Sequence, residues 1–168
     1  MFSDGFSVNT DMEEINVNFK LFLETHHQQQ DMEKTLKTIP KKHRDLVKGY
    51  KFSVENGNTL KDDSKSVGEI DAKRKKIRIA APWNYGRQFT FLHEIAHTVW
   101  EYLVPSEDKK KWNTMVKNVK EASKENKKNL NQNFEEIFCM VYANYYVKNR
   151  IVKFDYPQLY KFIENLDS

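Results

Sequence analysis

Hydrophobic residues recur at two different spacings along this chain: every second residue in some segments and every three to four residues in others. Together these spacings predict a mixture of strands and helices. Apolar and polar residues alternate over residues 15–23 and again over 50–54, a pattern typical of half-buried strands. The same alternation returns over 67–72 and 75–81, which are separated only by a short polar segment. This last pair predicts a β-hairpin.

The second strand of the predicted hairpin has two chemically different faces. Ile77 and Ile79 share one face, whereas Lys76 and Arg78 share the other. Outward-facing lysines are typical of edge strands, so strand 75–81 is predicted to lie at the edge of the sheet. An exposed edge of this kind can bind an extended peptide by strand addition.

Apolar residues recur at three-to-four-residue spacing in much of the remaining chain, which predicts helices. These helices are predicted over residues 31–47, 87–103, 106–127, 134–150 and 156–166. Asp31 is interpreted as the N-cap of the first helix, and Pro40 as a break within it. His26 and His27, beside a run of glutamines, are interpreted as a polar loop. The sequence therefore predicts an α+β fold: a small mixed or antiparallel sheet and a helical C-terminal half.

Length and composition suit one domain with a hydrophobic core. The chain has 168 residues, a net charge of +4 and a single cysteine, so an intramolecular disulfide is excluded. Residues 1–13 are interpreted as a flexible leader, and 14–168 as a single domain. The sequence contains neither a secretory signal nor a membrane-spanning segment, which predicts a cytoplasmic protein. Its lysines are spread along the chain, so nucleic acid is not an expected partner.

The candidate chemistry lies in the helix predicted over 87–103, which contains the motif H-E-x-x-H. His93 and His97 are four residues apart and therefore lie on one face of a helix, where both imidazoles can bind one Zn²⁺ ion. Glu94 can accept a proton from a zinc-bound water and pass it to a leaving amine. An apolar stripe supports the helix: Phe89, Leu92, Ala96, Val99 and Leu103.

A catalytic zinc site usually has three protein ligands, so a third ligand is required. No histidine follows His97, which leaves a carboxylate on a later helix as the expected donor. Glu135 and Glu136 both lie at the start of the helix predicted over 134–150. Adjacent helical residues point about 100° apart, so only one of the two can bind the metal.

Two segments, HEIAHTVWEYL and NFEEIFCMVYANYY, resemble the anthrax-lethal-factor-like zincins, a group that includes the Pro-Pro endopeptidases. In that group the glutamate ligand is followed by two bulky residues, a small residue and then an aromatic residue. Glu136, Cys139 and Tyr142 match this register, so the resemblance implies a zincin-like fold with Glu136 as third ligand. The ImmA/IrrE-like peptidases, which act on transcriptional repressors, show a similar rhythm that the same residues satisfy together with Ala143.

The chain departs from the lethal-factor-like pattern in two places. The loop before the third ligand lacks the tyrosine that steadies the oxyanion in these enzymes, and Met140 occupies the position of an acidic residue that orients a zinc histidine. Other residues are expected to fill these two roles. The candidates are Tyr142, Tyr145, Tyr85 or an asparagine for the oxyanion, and Glu101 or Asn144 for the histidine.

These features predict a zinc-dependent endopeptidase. His93, His97 and Glu136 would hold Zn²⁺, Glu94 would act as general base and acid, and a protein or peptide substrate would lie extended along the edge strand 75–81. The alternative is a module that keeps the zincin fold and binds a protein partner with little or no catalysis. The missing oxyanion tyrosine and the presence of Met140 favour this alternative.

Overall fold

The computed structural model describes residues 6–8, 15–16, 23–55, 57–80, 86–122, 133–148 and 150–166. These residues form a mixed α+β structure that is mostly helical. The strands are β1 (Phe6–Val8), β2 (Ile15–Asn16), β3 (Lys51–Glu55), β4 (Gly68–Asp71) and β5 (Lys76–Ala80). The helices are α1 (Leu23–Thr38), α2 (Lys41–Arg44), α3 (Arg87–Tyr102), α4 (Ser106–Ala122), α5 (Phe134–Tyr146), α6 (Arg150–Asp155) and α7 (Pro157–Asn165).

The chain divides into two compact units, Met1–Ile95 and Ala96–Ser168, with the boundary inside α3. The first unit contains the sheet, and the second is helical. The prediction of a single domain over 14–168 stays a prediction. No helix in the described ranges is both long and apolar enough to span a membrane.

The sheet of the first unit has the strand order β2-β1-β3-β5-β4. Strand β3 pairs in parallel with β5, whereas the other neighbouring pairs are antiparallel. Phe52, Ile77 and Ile79 are buried on one face, because alternate residues of a strand point to the same side. The β4–β5 hairpin and the mixed sheet are confirmed.

The edge-strand prediction for 75–81 is wrong, because β5 lies between β3 and β4; among the described strands, β4 is the edge strand at that end of the sheet. The alternating charges of β5 indicate which face of the sheet is polar. They carry no information about whether the backbone is paired, since side chains project at right angles to the ladder hydrogen bonds. Arg78 on this face makes ion pairs with Glu69 and Glu55 of the two neighbouring strands.

Two features of the N-terminal region were not predicted from the sequence. Strand β1 pairs with both β2 and β3, so residues 6–8 form part of the sheet, and the interpretation of residues 1–13 as a flexible leader stays a prediction. Helix α1 begins at Leu23, which places His26, His27 and Asp31 inside a helix instead of in a loop and at an N-cap. No glycine or proline interrupts residues 23–39, and glutamine is a good helix former. Residues 17–22 of the predicted strand lie outside the described ranges.

The break predicted at Pro40 is confirmed. Helix α1 ends at Thr38, Pro40 is the N-cap residue of α2, and a short 3₁₀ turn, Asp45–Val47, follows. Gly49 then adopts a positive φ of 78°, a conformation that glycine takes without steric cost, and the chain turns into β3.

The second unit is built around aromatic side chains shared by α4, α5 and α7. Trp112 is completely buried, and its ring contacts Phe138 and Phe162 with centroid distances of 5.5 and 5.1 Å. The helix predicted over 134–150 ends earlier, at Tyr146, and Lys148 beyond it has a positive φ of 58°. The final helix predicted over 156–166 is confirmed as α7.

Candidate metal centre

The H-E-x-x-H motif lies within α3, one uninterrupted helix from Arg87 to Tyr102. Most of α3 is buried on several sides, and these side chains are less than 5% exposed: Phe91, Leu92, Ile95, Ala96, Thr98 and Val99. The potential ligand nitrogens of His93 and His97 lie within 4.8 Å of each other. The prediction that the two imidazoles share a helix face is therefore consistent with the structure of α3.

Glu94 is almost completely buried, with 6% of its surface exposed, and it lies against the edge strand of the first unit. A Cβ atom placed on Gly68, the first residue of β4, would lie 2.6 Å from the Glu94 Oε1 atom. This distance is shorter than any van der Waals contact. The position of the Glu94 carboxylate thus depends on residue 68 having no side chain.

Sequence analysis did not find Gly68. The signal was present, because a glycine at the start of a strand often marks a close approach of another group. Its neighbour Val67 accepts a hydrogen bond from the Ala80 amide, and Gly68 itself is paired with Ile79. Alternation along an antiparallel ladder directs the N–H and C=O of Gly68 toward the open side of β4. Among the described strands β4 has no partner on that side, and the Glu94 carboxylate lies against its first residue.

His97 contacts two adjacent carboxylates through its two ring nitrogens. Its Nδ1 atom is 2.7 Å from Oε1 of Glu135, and its Nε2 atom is 3.3 Å from Oε1 of Glu136. The first distance is a short hydrogen bond in which Nδ1 donates its proton. The three side chains are 21%, 37% and 39% exposed, respectively, so this part of the centre is half-open to solvent.

The Nε2–Oε1 distance agrees with two donors to one metal ion. Zinc binds nitrogen and oxygen at 2.0–2.2 Å, so two ligands of a tetrahedral site are about 3.3–3.5 Å apart. In the tautomer with its proton on Nδ1, the imidazole of His97 presents the lone pair of Nε2 toward the carboxylate of Glu136, the arrangement that two ligands of one metal ion need.

The glutamate pair is held in place by the start of α5. The side chain of Asn133 caps this helix by accepting a hydrogen bond of 2.7 Å from the amide of Glu136. The indole Nε1 of Trp112 donates to the carbonyl oxygen of Phe134 at 2.8 Å, which fixes the same turn to α4. Two directed hydrogen bonds therefore position the backbone from which Glu135 and Glu136 project.

One further donor atom lies close to His97. The Sγ atom of Cys139, one turn after Glu136 on α5, is within 4.8 Å of the ligand nitrogen of His97. Cys139 is completely buried. Sequence analysis used it only as the small residue of the zincin-like pattern and did not predict it as a ligand.

The structure separates the residues predicted for supporting roles. Glu135 contacts Nδ1 of His97 and so supplies an acidic partner of the kind that Met140 cannot provide. Asn144 instead donates a hydrogen bond to the Met140 carbonyl, and Glu101 is exposed.

The tyrosines predicted as oxyanion donors pack among other aromatic rings. Tyr142 is completely buried between Phe138 and Tyr146, with centroid distances of 6.0 and 4.7 Å. Tyr145 packs against Tyr146 and Tyr160. Tyr85 lies outside the described ranges.

Comparison with known proteins finds no match for this chain among protein-family models, curated proteins or solved structures.

Proposed function

We propose that this protein is a zinc-dependent endopeptidase with a zincin-like fold. His93, His97 and Glu136 hold the ion, and Glu94 transfers the proton during hydrolysis of a peptide bond. The observation that carries the proposal is the placement of His97 between Glu135 and Glu136, with one carboxylate at each ring nitrogen.

The donor set suits zinc, which prefers imidazole nitrogen and carboxylate oxygen in catalytic sites. When bound, zinc acts as a Lewis acid toward the scissile carbonyl and makes water a stronger nucleophile at neutral pH. Glu135 accepts a hydrogen bond from the Nδ1–H group of His97, which fixes the tautomer and leaves the lone pair of Nε2 to bind the metal. The adjacent glutamates thus take different roles, one as ligand and one as the group that orients the ligand.

Glu94 serves as the proton carrier. Its Oε1 atom lies next to the open edge of β4, where an extended peptide can add as a further strand. Glu94 accepts a proton from the attacking water, whose oxygen bonds to the carbonyl carbon of the substrate. The carbon–nitrogen bond then breaks, and Glu94 delivers the proton to the leaving nitrogen. The substrate strand predicted for β5 is accordingly moved to β4.

The first test is the metal content of the purified protein, beside Glu136→Ala and the matched neighbour Glu135→Ala. The wild type is expected to bind zinc stoichiometrically, and Glu136→Ala to lose it. Glu135→Ala should retain the site with an affinity reduced about 10–100-fold, the usual effect of removing a partner that orients a ligand. A folded wild type that takes up no zinc would overturn the proposal.

The second test separates zinc binding from turnover. Glu94→Gln keeps the size of the side chain but cannot accept the proton, so cleavage of a peptide library should fall by a factor of about 10²–10⁴. Its zinc content should equal that of the wild type. Undiminished cleavage by this variant would show that Glu94 is not the proton carrier.

The packing of the tyrosines favours a second candidate, a zincin-like module that binds an extended peptide at β4 without cleaving it. Tyr142 is completely buried, and Tyr145, which is half-buried, packs against two other tyrosines, so aromatic neighbours hold both predicted oxyanion donors. Such a module would bind zinc and library peptides but release no new amino termini. Release of amino termini that depends on Glu94 would exclude it.

A further inference from the structure

Cys139 carries a thiol, a group that binds metal ions in many proteins, and the proposed mechanism gives it no role. It lies three residues after Glu136 on α5, so the two side chains share one face of this helix. Its Sγ atom is within 4.8 Å of the ligand nitrogen of His97. It is completely buried and is the only cysteine of the chain.

We propose that Cys139 is a fourth protein ligand of the ion held by His93, His97 and Glu136, an inference that rests on the proposed function. The metal displaces the thiol proton, which passes to solvent, and a sulfur–metal bond replaces the sulfur–hydrogen bond. No oxidation is involved. The negative charge of the buried thiolate is balanced by the divalent cation, which removes the cost of placing it in the core.

A bond between Cys139 and the metal would change the activity of the site. Catalytic zinc sites keep one position open for water, whereas sites with four protein ligands are closed. With Cys139 bound, the resting site is closed, and the thiolate must leave before water and substrate can occupy its position. A ligand role for Cys139 therefore increases metal affinity and lowers turnover. A cysteine that only packs in the core would not raise one of these quantities while lowering the other.

Cobalt binding tests the inference without relying on activity. Apo-protein is titrated with Co²⁺, and the absorption spectrum is recorded for wild type, Cys139→Ser and Cys139→Ala. A thiolate ligand gives an intense near-ultraviolet charge-transfer band, which in this chain can arise only from Cys139. We expect the band in the wild type and its absence in both variants, with Co²⁺ affinity reduced about tenfold or more. The alanine variant keeps the test valid if a hydroxyl group in the core prevents folding.

The outcomes distinguish this inference from the proposed function. Cobalt bound with visible ligand-field bands but no charge-transfer band would overturn the role of Cys139 and leave a three-ligand zinc site intact. A folded wild type that binds neither Co²⁺ nor Zn²⁺ would overturn both proposals. A charge-transfer band that is lost in Cys139→Ser, with turnover higher than that of the wild type, supports the closed resting site.

Discussion

Glu94 and His97 are three residues apart on α3, yet their surroundings differ in kind. Glu94 meets the backbone of β4 at Gly68, where the fit depends on the absence of a side chain. His97 meets the side chains of Glu135 and Glu136 at the start of α5, where the fit depends on hydrogen bonds and charge. Glu94 is thus positioned by steric fit within the first unit, and His97 by hydrogen bonds and charge within the second.

The difference in exposure follows the same division. Glu94 is buried, whereas both partners of His97 are more than one-third exposed. A methyl group added at Gly68 would overlap Glu94, so it should displace the carboxylate that we propose as proton carrier and leave metal binding intact. Changes around His97 should act first on metal affinity. Variants near Glu94 and near His97 can therefore separate an effect on cleavage from an effect on metal affinity.

The largest effect is expected for Trp112→Ala, which removes a completely buried ring that packs against Phe138 of α5. Loss of this buried ring should lower the free energy of unfolding by about 3–5 kcal/mol. Because the indole also holds the Phe134 carbonyl, zinc affinity should fall as well. Trp112→Phe is the control: it keeps a ring and loses the hydrogen bond, at a cost of about 1–3 kcal/mol. Denaturant unfolding with zinc titration measures both, and unchanged zinc affinity in folded Trp112→Ala would contradict the coupling.

The next effect is expected for Gly68→Ala, which tests the steric side of the comparison. The new Cβ would lie 2.6 Å from Glu94 Oε1, so the carboxylate must shift. Misplacing a catalytic group by about 1 Å can cost on the order of 10² in rate, and we expect peptide cleavage to fall about 10–100-fold with zinc content unchanged. The matched control is Gly86→Ala, where the added methyl meets no atom within 4 Å. Equal losses in both variants would refute the steric explanation.

A smaller effect is expected for Asn133→Ala, which tests the electrostatic side. This variant removes the cap on the Glu136 amide and should lower the free energy of unfolding by about 1 kcal/mol. The glutamate pair then starts from a less ordered turn, so zinc affinity should decrease while the ratio of turnover to bound zinc stays constant. Asn133→Ser, which can form the same cap, should retain most of both properties. A loss of turnover in Asn133→Ala at full zinc occupancy would contradict this prediction.

Local patterns explain which parts of the fold were predictable. The hairpin and α3 depend on residues close in sequence, and both were predicted with nearly correct ends. The position of β5 depends on its parallel pairing with β3, across a long connection that leaves no trace in the alternation of β5. The sequence therefore predicted which face of β5 is polar but not which strand is the edge.

The same distinction applies to the candidate site. The spacing of His93, Glu94 and His97 is a property of one helix, so their relative placement could be predicted directly from the sequence. The division of roles between Glu135 and Glu136 appears only when α5 is placed beside His97, because each carboxylate faces a different ring nitrogen. Gly68 was missed for a similar reason: the contact that gives it importance is with a residue far along the chain.

The smallest effect is expected for Asp62→Asn, at the ion-pair cluster that holds the edge strand β4. Arg78 of β5 makes hydrogen bonds of 3.1 and 3.2 Å to the Asp62 carboxylate and also bonds to Glu69 of β4. The Arg78 guanidinium holds the pKa of Asp62 below its ordinary value of 3.8. A depressed carboxyl pKa stabilises the folded state above the ordinary value, and this contribution is lost as the pH falls through the lowered folded-state pKa.

The variant should therefore be slightly less stable than the wild type at neutral pH, and the difference should vanish in acid. Asp62 is exposed, so the effect is small and should also decrease with added salt. Urea midpoints of both proteins, compared between about pH 7 and about pH 2, measure it. A stability difference that grows toward low pH would contradict the assigned sign. Retention of zinc and turnover at neutral pH would place this cluster in a supporting role for β4, separate from the fit of Glu94 against Gly68.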